Sequence, residues 1–266
     1  MGLAGIGAVA FSALSEPGEV RREAAAAAQT YAVHIGNMAF DGTPEPPTPT
    51  PSPTPTPVPT RPASAEGLRF WSDGDSTSYF VTVALFALVS EQGGIPVRAA
   101  DYKISSGLRN VAFFDWATYI ASEMALYDPD VAVFMVGAND AMGISDYADY
   151  AARAGAIMDL MHRPGRTVLW MGQPNMQPDP GQGYNPALAA RIPPLNEVFR
   201  AEAAKRDWVI YVDTWSVTSW SDGTYAPALP DASGASEVLR ASDGIHFTPA
   251  GGRRLAQAAL AALFGP

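Results

Sequence analysis

Residues 70–80 read FWSDGDSTSYF: two aromatic residues, then an abrupt polar run from Ser72 to Ser76. An apolar start followed by Gly and Asp is how a buried strand ends, and a longer, largely apolar run of helical length follows it. The stretch therefore predicts a strand over Leu68–Trp71, a polar turn, and a helix over Thr77–Glu91.

The same alternation continues along the chain. Further strands are expected at Ile95–Ala99, Val131–Val136, Thr167–Met171 and Trp208–Val212, with helices over Phe114–Tyr127, Ser145–Met161, Pro194–Arg206 and Pro249–Leu263. The last helix carries Thr248 as a candidate N-cap and Pro249 at its first position, a strong start signal. Strands alternating with helices of this length imply βαβ units and a parallel sheet with right-handed crossovers. VAVFMV, apolar throughout, suits a central strand covered on both faces.

Upstream, residues 43–62 read TPEPPTPTPSPTPTPVPTRP and hold 10 of the 24 prolines. Proline removes backbone donors and fixes φ, so residues 43–64 are expected to be an extended spacer. The folded domain then occupies 65–266. Residues 1–42 open with an apolar run, GLAGIGAVAFSAL at 2–14, too short to span a bilayer comfortably and lacking a preceding Lys or Arg. It reads as a remnant of a signal or anchor, with a frayed helical terminus as the plain alternative. Together with the spacer it suggests an extracytoplasmic domain held away from a membrane or cell wall.

Composition removes several classes of function. The net charge of −10 and the presence of only two lysines, Lys103 and Lys205, leave no basic stripe for nucleic acid. There is no cysteine, hence no disulfide, thiolate metal site or cysteine nucleophile. His34, His162 and His246 are too widely spaced for a short zinc motif, and no phosphate or dinucleotide loop is present. Neither a cofactor nor a metal is expected.

In an open parallel sheet, ligands bind beyond the carboxyl ends of the strands. Four polar segments should arrive there: Gly74-Asp75-Ser76, Ser105-Ser106-Gly107, Gly137-Ala138-Asn139-Asp140 and Asp243-Gly244-Ile245-His246. A serine needs a base to take its proton and a third group to orient that base, and His246 and Asp243 can fill both roles. The N–H groups of Ser76 and Gly107 and the amide of Asn139 could hold an oxyanion, each typically worth about 3 to 4 kcal/mol of barrier. Asp75 and Asp140 are expected to brace the loops, whereas Asp73 has no evident task. Trp215, Trp220 and Tyr225 could stack on a sugar ring, although such residues more often cap a core.

GDS, then a glycine, then GxND, then DxxH in this order resembles the SGNH (GDSL) hydrolase superfamily, over essentially all of Leu68–Leu263. SSGLRN and FFDW further resemble a bacterial cell-envelope branch. The resemblance implies a flavodoxin-like α/β/α fold with a five-stranded parallel sheet of order 2-1-3-4-5. It also implies Ser76 as nucleophile, Asp243 and His246 completing a triad, and Ser76, Gly107 and Asn139 as the oxyanion hole. The expected reaction is hydrolysis of a small acyl ester, acetyl being the simplest, on an envelope or extracellular glycan. O-acyl transfer by the same site is an alternative, and a non-catalytic envelope-binding module another. The position after the serine is Thr77, where the common motif has leucine, and the GxSxG elbow of α/β-hydrolases is absent.

Overall fold

The computed structural model describes residues 61–178 and 186–265. The N-terminal apolar run and nearly all of the Pro/Thr tract lie outside them. None of the described helices is long and apolar enough to cross a membrane.

Five parallel strands form one sheet: β1 (Arg69–Gly74), β2 (Ile95–Pro96), β3 (Val131–Met135), β4 (Thr167–Met171) and β5 (Val209–Val212). Their spatial order is β2-β1-β3-β4-β5, as the resemblance implied. Side chains alternate between the two faces. Phe70, Val133, Met135, Leu169 and Met171 face one helical layer, formed by α1 (Tyr79–Glu91) and the C-terminal helix (Pro249–Phe264). Trp71, Phe134, Val168 and Trp170 face the other, which contains α2 (Trp116–Tyr127), α3 (Tyr147–Leu160) and α4 (Pro186–Ala203). Every residue of β3 and β4 is buried, as strands covered on both sides require.

Local chemistry sets the helix starts. Asp115 and Asp146 cap α2 and α3 by accepting two backbone N–H groups each, and Thr248 caps the C-terminal helix by accepting from Gly251. Between β5 and that helix come α5 (Thr214–Val217), capped by Asp213, and an antiparallel hairpin of β6 (Ala228–Pro230) and β7 (Ser236–Val238). The C-terminal helix is α6. A 3-10 turn over Ala141–Gly143 follows β3.

Four expected boundaries move. The first strand does not stop at Trp71 but runs through Gly74, paired along its length with β3. Its polar residues are buried and bonded: Ser72 Oγ lies 2.8 Å from Thr82 Oγ1, on the α1 side, and Asp73 is engaged on the α2 side. The first helix starts at Tyr79 rather than Thr77, so Ser76 sits in a turn ahead of it instead of directly at its start. The second strand is two residues long, because after Pro96 the chain leaves β1. Helix α4 begins at Pro186, not Pro194, and runs through Pro193 and Pro194. Leu188, Ile192, Leu195 and Phe199 recur on one face and are all buried in the core; their burial offsets the lost backbone bonds.

Candidate active site

The carboxyl ends of β1 and β3 set the site. At Gly74 a Cβ would lie 1.9 Å from the Met135 carbonyl oxygen, so only glycine lets the chain turn there against β3. The turn then delivers Ser76, half-buried, to the surface. Asp75 points inward, fully buried, and accepts from Thr77 N (2.9 Å), Thr77 Oγ1 (2.6 Å) and Gly137 N (3.1 Å). Burial pushes its carboxyl above the usual range against the pull of these donors. Ser78 Oγ donates to the Asp75 carbonyl at 2.8 Å, which ties that hydroxyl into the turn.

Two further links join the neighbouring loops. Asp140 accepts from Leu108 N (2.7 Å), Arg109 N (3.1 Å) and the Tyr150 hydroxyl (2.9 Å). Asn139 Nδ2 donates to the Ser106 carbonyl at 2.9 Å. A Cβ at Gly107 would lie 2.3 Å from Asp140 Oδ1, so the absence of a side chain at 107 is what lets the carboxylate reach the next two amides. Asp75 thus ties the serine turn to the β3 loop, and Asp140 ties the β3 loop to the segment carrying Gly107. Among the described residues no acceptor takes the N–H of Ser76 or of Gly107, and Asn139 is exposed. Donors left unspent in this way can receive a developing oxyanion where they converge on a reacting carbonyl.

His246 arrives from the loop before α6. Its Nε2 lies 2.8 Å from Ser76 Oγ and its Nδ1 2.6 Å from Asp243 Oδ2. A carboxylate only accepts, so Nδ1–H donates to Asp243 and Nε2 accepts the Ser76 proton. Asp243 also accepts from the Ile245 and His246 amides at 2.8 and 2.9 Å. Partial burial works against its charge, but the bonds from His246 and those two amides outweigh it and hold the carboxyl below its usual range. Gly244 has φ of +70°, which lets Asp243 fold back toward the imidazole. The His246 side chain remains 40% exposed.

Of the residues singled out from sequence, Ser76, His246 and Asp243 form one hydrogen-bonded chain, and Asn139 and Gly107 stand on loops braced to the serine turn. His162 lies instead at the amino ends of the strands, its ring 4.0 Å from that of Trp208. Trp215 packs against the core, and Trp220 is exposed. His34 is outside the described residues.

Asp73 has the partners that sequence reasoning could not supply. It is fully buried, accepts from the Gly74 amide (2.7 Å) and the Tyr119 hydroxyl (2.9 Å), and pairs with Arg98 at 3.2 Å. Arg98 also engages Asp101 at 2.9 Å, Glu123 and Tyr119. Burial nevertheless raises the Asp73 carboxyl to about 6, against the opposing pull of Gly74, Arg98 and Tyr119. Lys103 N donates to the Gly74 carbonyl at 2.8 Å, so the network fastens the loop after β2 to the strand that leads into Ser76. A pocket of about 210 Å³ opens beside Ser76 and His246, lined by Tyr79, Phe80, Tyr102, Ile104 and Phe247. No motif announces these residues; only the fold brings them together.

Residues 69–262 match the family described as "Protein of unknown function (DUF459)". No curated protein sequence matches the chain. Among solved structures, a catalytic mutant of Axe2, an acetylxylan esterase from Geobacillus stearothermophilus, is similar at a TM-score of 0.54 and 18% identity, over 77% of this chain and 97% of that one. LAE5, an alpha/beta hydrolase enzyme from the metagenome of Lake Arreo, Spain, is similar at 0.52 and 18%, over 75% and 96%. A protein of the G-D-S-L family from Desulfitobacterium hafniense DCB-2 is similar at 0.53 and 13%, over 74% and 100%. At these identities the likeness is one of fold. Other catalytic mutants of Axe2 carry alanine for a serine and for an aspartate; that aspartate lies three positions before the histidine replaced in the first.

Proposed function

The chain belongs to the family described as "Protein of unknown function (DUF459)" and has the fold of SGNH (GDSL) hydrolases, and from these premises we propose that it is a serine esterase. One observation carries the reading: the unbroken chain from Ser76 Oγ through His246 to Asp243, at 2.8 and 2.6 Å. The spacing of Asp243 and His246 is that of the aspartate and histidine replaced in catalytic mutants of Axe2.

The residues divide the work as follows. His246 Nε2 takes the Ser76 proton as Oγ bonds to the ester carbonyl carbon. The carbonyl oxygen becomes an oxyanion, received by the N–H groups of Ser76 and Gly107 and by the Asn139 amide. The C–O bond to the alcohol then breaks, and the imidazolium returns its proton to the departing oxygen. Asp243 holds the tautomer and steadies the imidazolium. Water, deprotonated by His246, attacks the acyl-serine; the acid leaves and Ser76 regains its proton. The exposure of the His246 ring gives water a path to the acyl-serine.

The substrate class is a short acyl ester of an extracellular or envelope glycan, with acetyl as its smallest member. Support for the glycan comes from the acetylxylan esterase of similar fold. The extracytoplasmic setting is supported by the apolar run at 2–14 and the Pro/Thr tract. The test is release of acid from aryl acetate and from acetylated oligosaccharides, with and without an unacylated oligosaccharide acceptor. Loss of acyl mass from the oligosaccharide is expected. Inertness toward every ester would sink the reading, and acyl gain by the acceptor would replace it with transfer.

A further inference from the structure

The pocket of about 210 Å³ beside Ser76 has a composition that discriminates between the two halves of an ester. Its walls are the rings of Tyr79, Phe80, Tyr102 and Phe247 and the side chain of Ile104. Tyr79 packs on Phe80 and Tyr102 with centroids 5.1 and 4.9 Å apart. Two of its polar groups are already committed. The Ser76 hydroxyl is bonded to His246, and the Thr77 hydroxyl donates to Asp75 at 2.6 Å. No charged Asp, Glu, Lys or Arg lines it. Sugar hydroxyls placed there would meet the hydroxyls of Tyr79 and Tyr102 but no carboxylate, amide or cationic side chain to replace water, which costs free energy for each one left unpaired. A hydrocarbon would gain from the same move.

Ile104 adds an independent sign. It is 62% exposed, a large apolar side chain held in solvent at the mouth of the pocket. Its neighbour Ser105 has φ of +60°, a left-handed conformation uncommon outside glycine. Beyond Ser105 come Ser106, whose carbonyl receives the Asn139 amide, and Gly107. One loop therefore presents both an oxyanion donor and an apolar lip.

We infer that this pocket binds the acyl half of the substrate and is built for an apolar acyl group larger than acetyl, with a body of about six to eight carbons. The size follows from comparison: an enclosed apolar cavity of about 150 Å³ holds benzene, and this one is larger and open at its mouth. The inference rests on the esterase reading and specifies what that site accepts. Each methylene buried beside the aromatic walls should raise kcat/KM by about two- to fourfold, the upper value being full burial.

The experiment uses the full chain with p-nitrophenyl acetate, butyrate, hexanoate, octanoate and dodecanoate. A second series measures inactivation by p-nitrophenyl phosphonates bearing a methyl or a hexyl group, a single-turnover readout. From acetate to hexanoate, kcat/KM should rise at least about tenfold and then level off past octanoate, and the hexyl phosphonate should inactivate faster than the methyl one. In Ile104→Asp, a substitution at an exposed position, the hexanoate-to-acetate ratio should fall several-fold. A rate highest for acetate, with Ser76 labelled normally by both phosphonates at equal rates, would overturn the acyl-pocket assignment while leaving the esterase reading intact. An unchanged ratio in Ile104→Asp would also overturn it. Absence of both hydrolysis and labelling would overturn the two together.

Discussion

Replacing Asp73 by Asn should make the protein gain stability relative to the unmutated chain as the pH rises, although the substitution removes one member of a buried ion pair. Asp73 is fully buried and its carboxyl is raised to about 6 from an ordinary 3.8. An acid with a higher pKa folded than unfolded binds its proton more tightly in the folded state. Its contribution is therefore complete below pH 3.8 and is lost as the pH climbs through about 6. The whole shift corresponds to about 3 kcal/mol, of which about 2 kcal/mol falls between pH 4.5 and 8. The amide side chain of the Asp73→Asn variant could still accept from the Gly74 amide, and Arg98 would keep Asp101 and Glu123 as partners, so no buried charge is stranded. The assay is urea unfolding of both proteins at several pH values across that window. The stability difference, variant minus unmutated, should rise by about 2 kcal/mol from pH 4.5 to pH 8. A flat or falling difference would mean that Arg98 holds Asp73 as a carboxylate at low pH and that burial does not dominate its ionisation.

Other substitutions probe the loops. In Gly107→Ala the new methyl group meets the Asp140 carboxylate at 2.3 Å, so the Leu108 and Arg109 bonds must shift. Ester hydrolysis should fall by about 10²-fold or more in kcat, with a loss of roughly 1 to 3 kcal/mol of stability seen in thermal unfolding. Asn139→Ala removes an exposed donor and should cost about 10²- to 10³-fold in kcat with little change in KM. Asp243→Asn takes away the acceptor that fixes the His246 tautomer, and kcat should drop by about 10⁴-fold at neutral pH with the unfolding transition scarcely moved. Thr248→Ala deletes the cap on Gly251 N and should lower stability by about 1 kcal/mol, read from denaturant midpoints.

The parallel sheet could be read from the sequence because β3 and β4 are apolar at nearly every position, as strands covered on both faces are, and such short runs alternate with stretches of helical length. The hydrogen-bonded chain of Ser76, His246 and Asp243 could be anticipated too, since GDS and DxxH are short local patterns, the first where β1 ends and the second just ahead of the last helix. The true end of β1 was hidden for a physical reason. Ser72 and Asp73 look like loop residues because their partners, Thr82, Arg98 and Tyr119, come from other elements, and no local pattern reports a polar group satisfied at long range. The start of α4 was hidden by a rule that usually holds. Pro194 reads as a first helical residue, yet Leu188 and Ile192 pull the preceding turn into the core. The pocket walls were hidden for a third reason. Tyr79, Tyr102 and Phe247 come from three separate segments, so only the folded chain brings them together.

The central claim is that Ser76 forms the acyl-enzyme with His246 as its base. Intact mass and peptide mapping after exposure of the full chain to a fluorophosphonate test it most directly. The account expects one adduct per chain, located on Ser76, absent in Ser76→Ala and formed at least about 10²-fold more slowly in His246→Ala. An adduct on another residue, or undiminished labelling in Ser76→Ala, would contradict it.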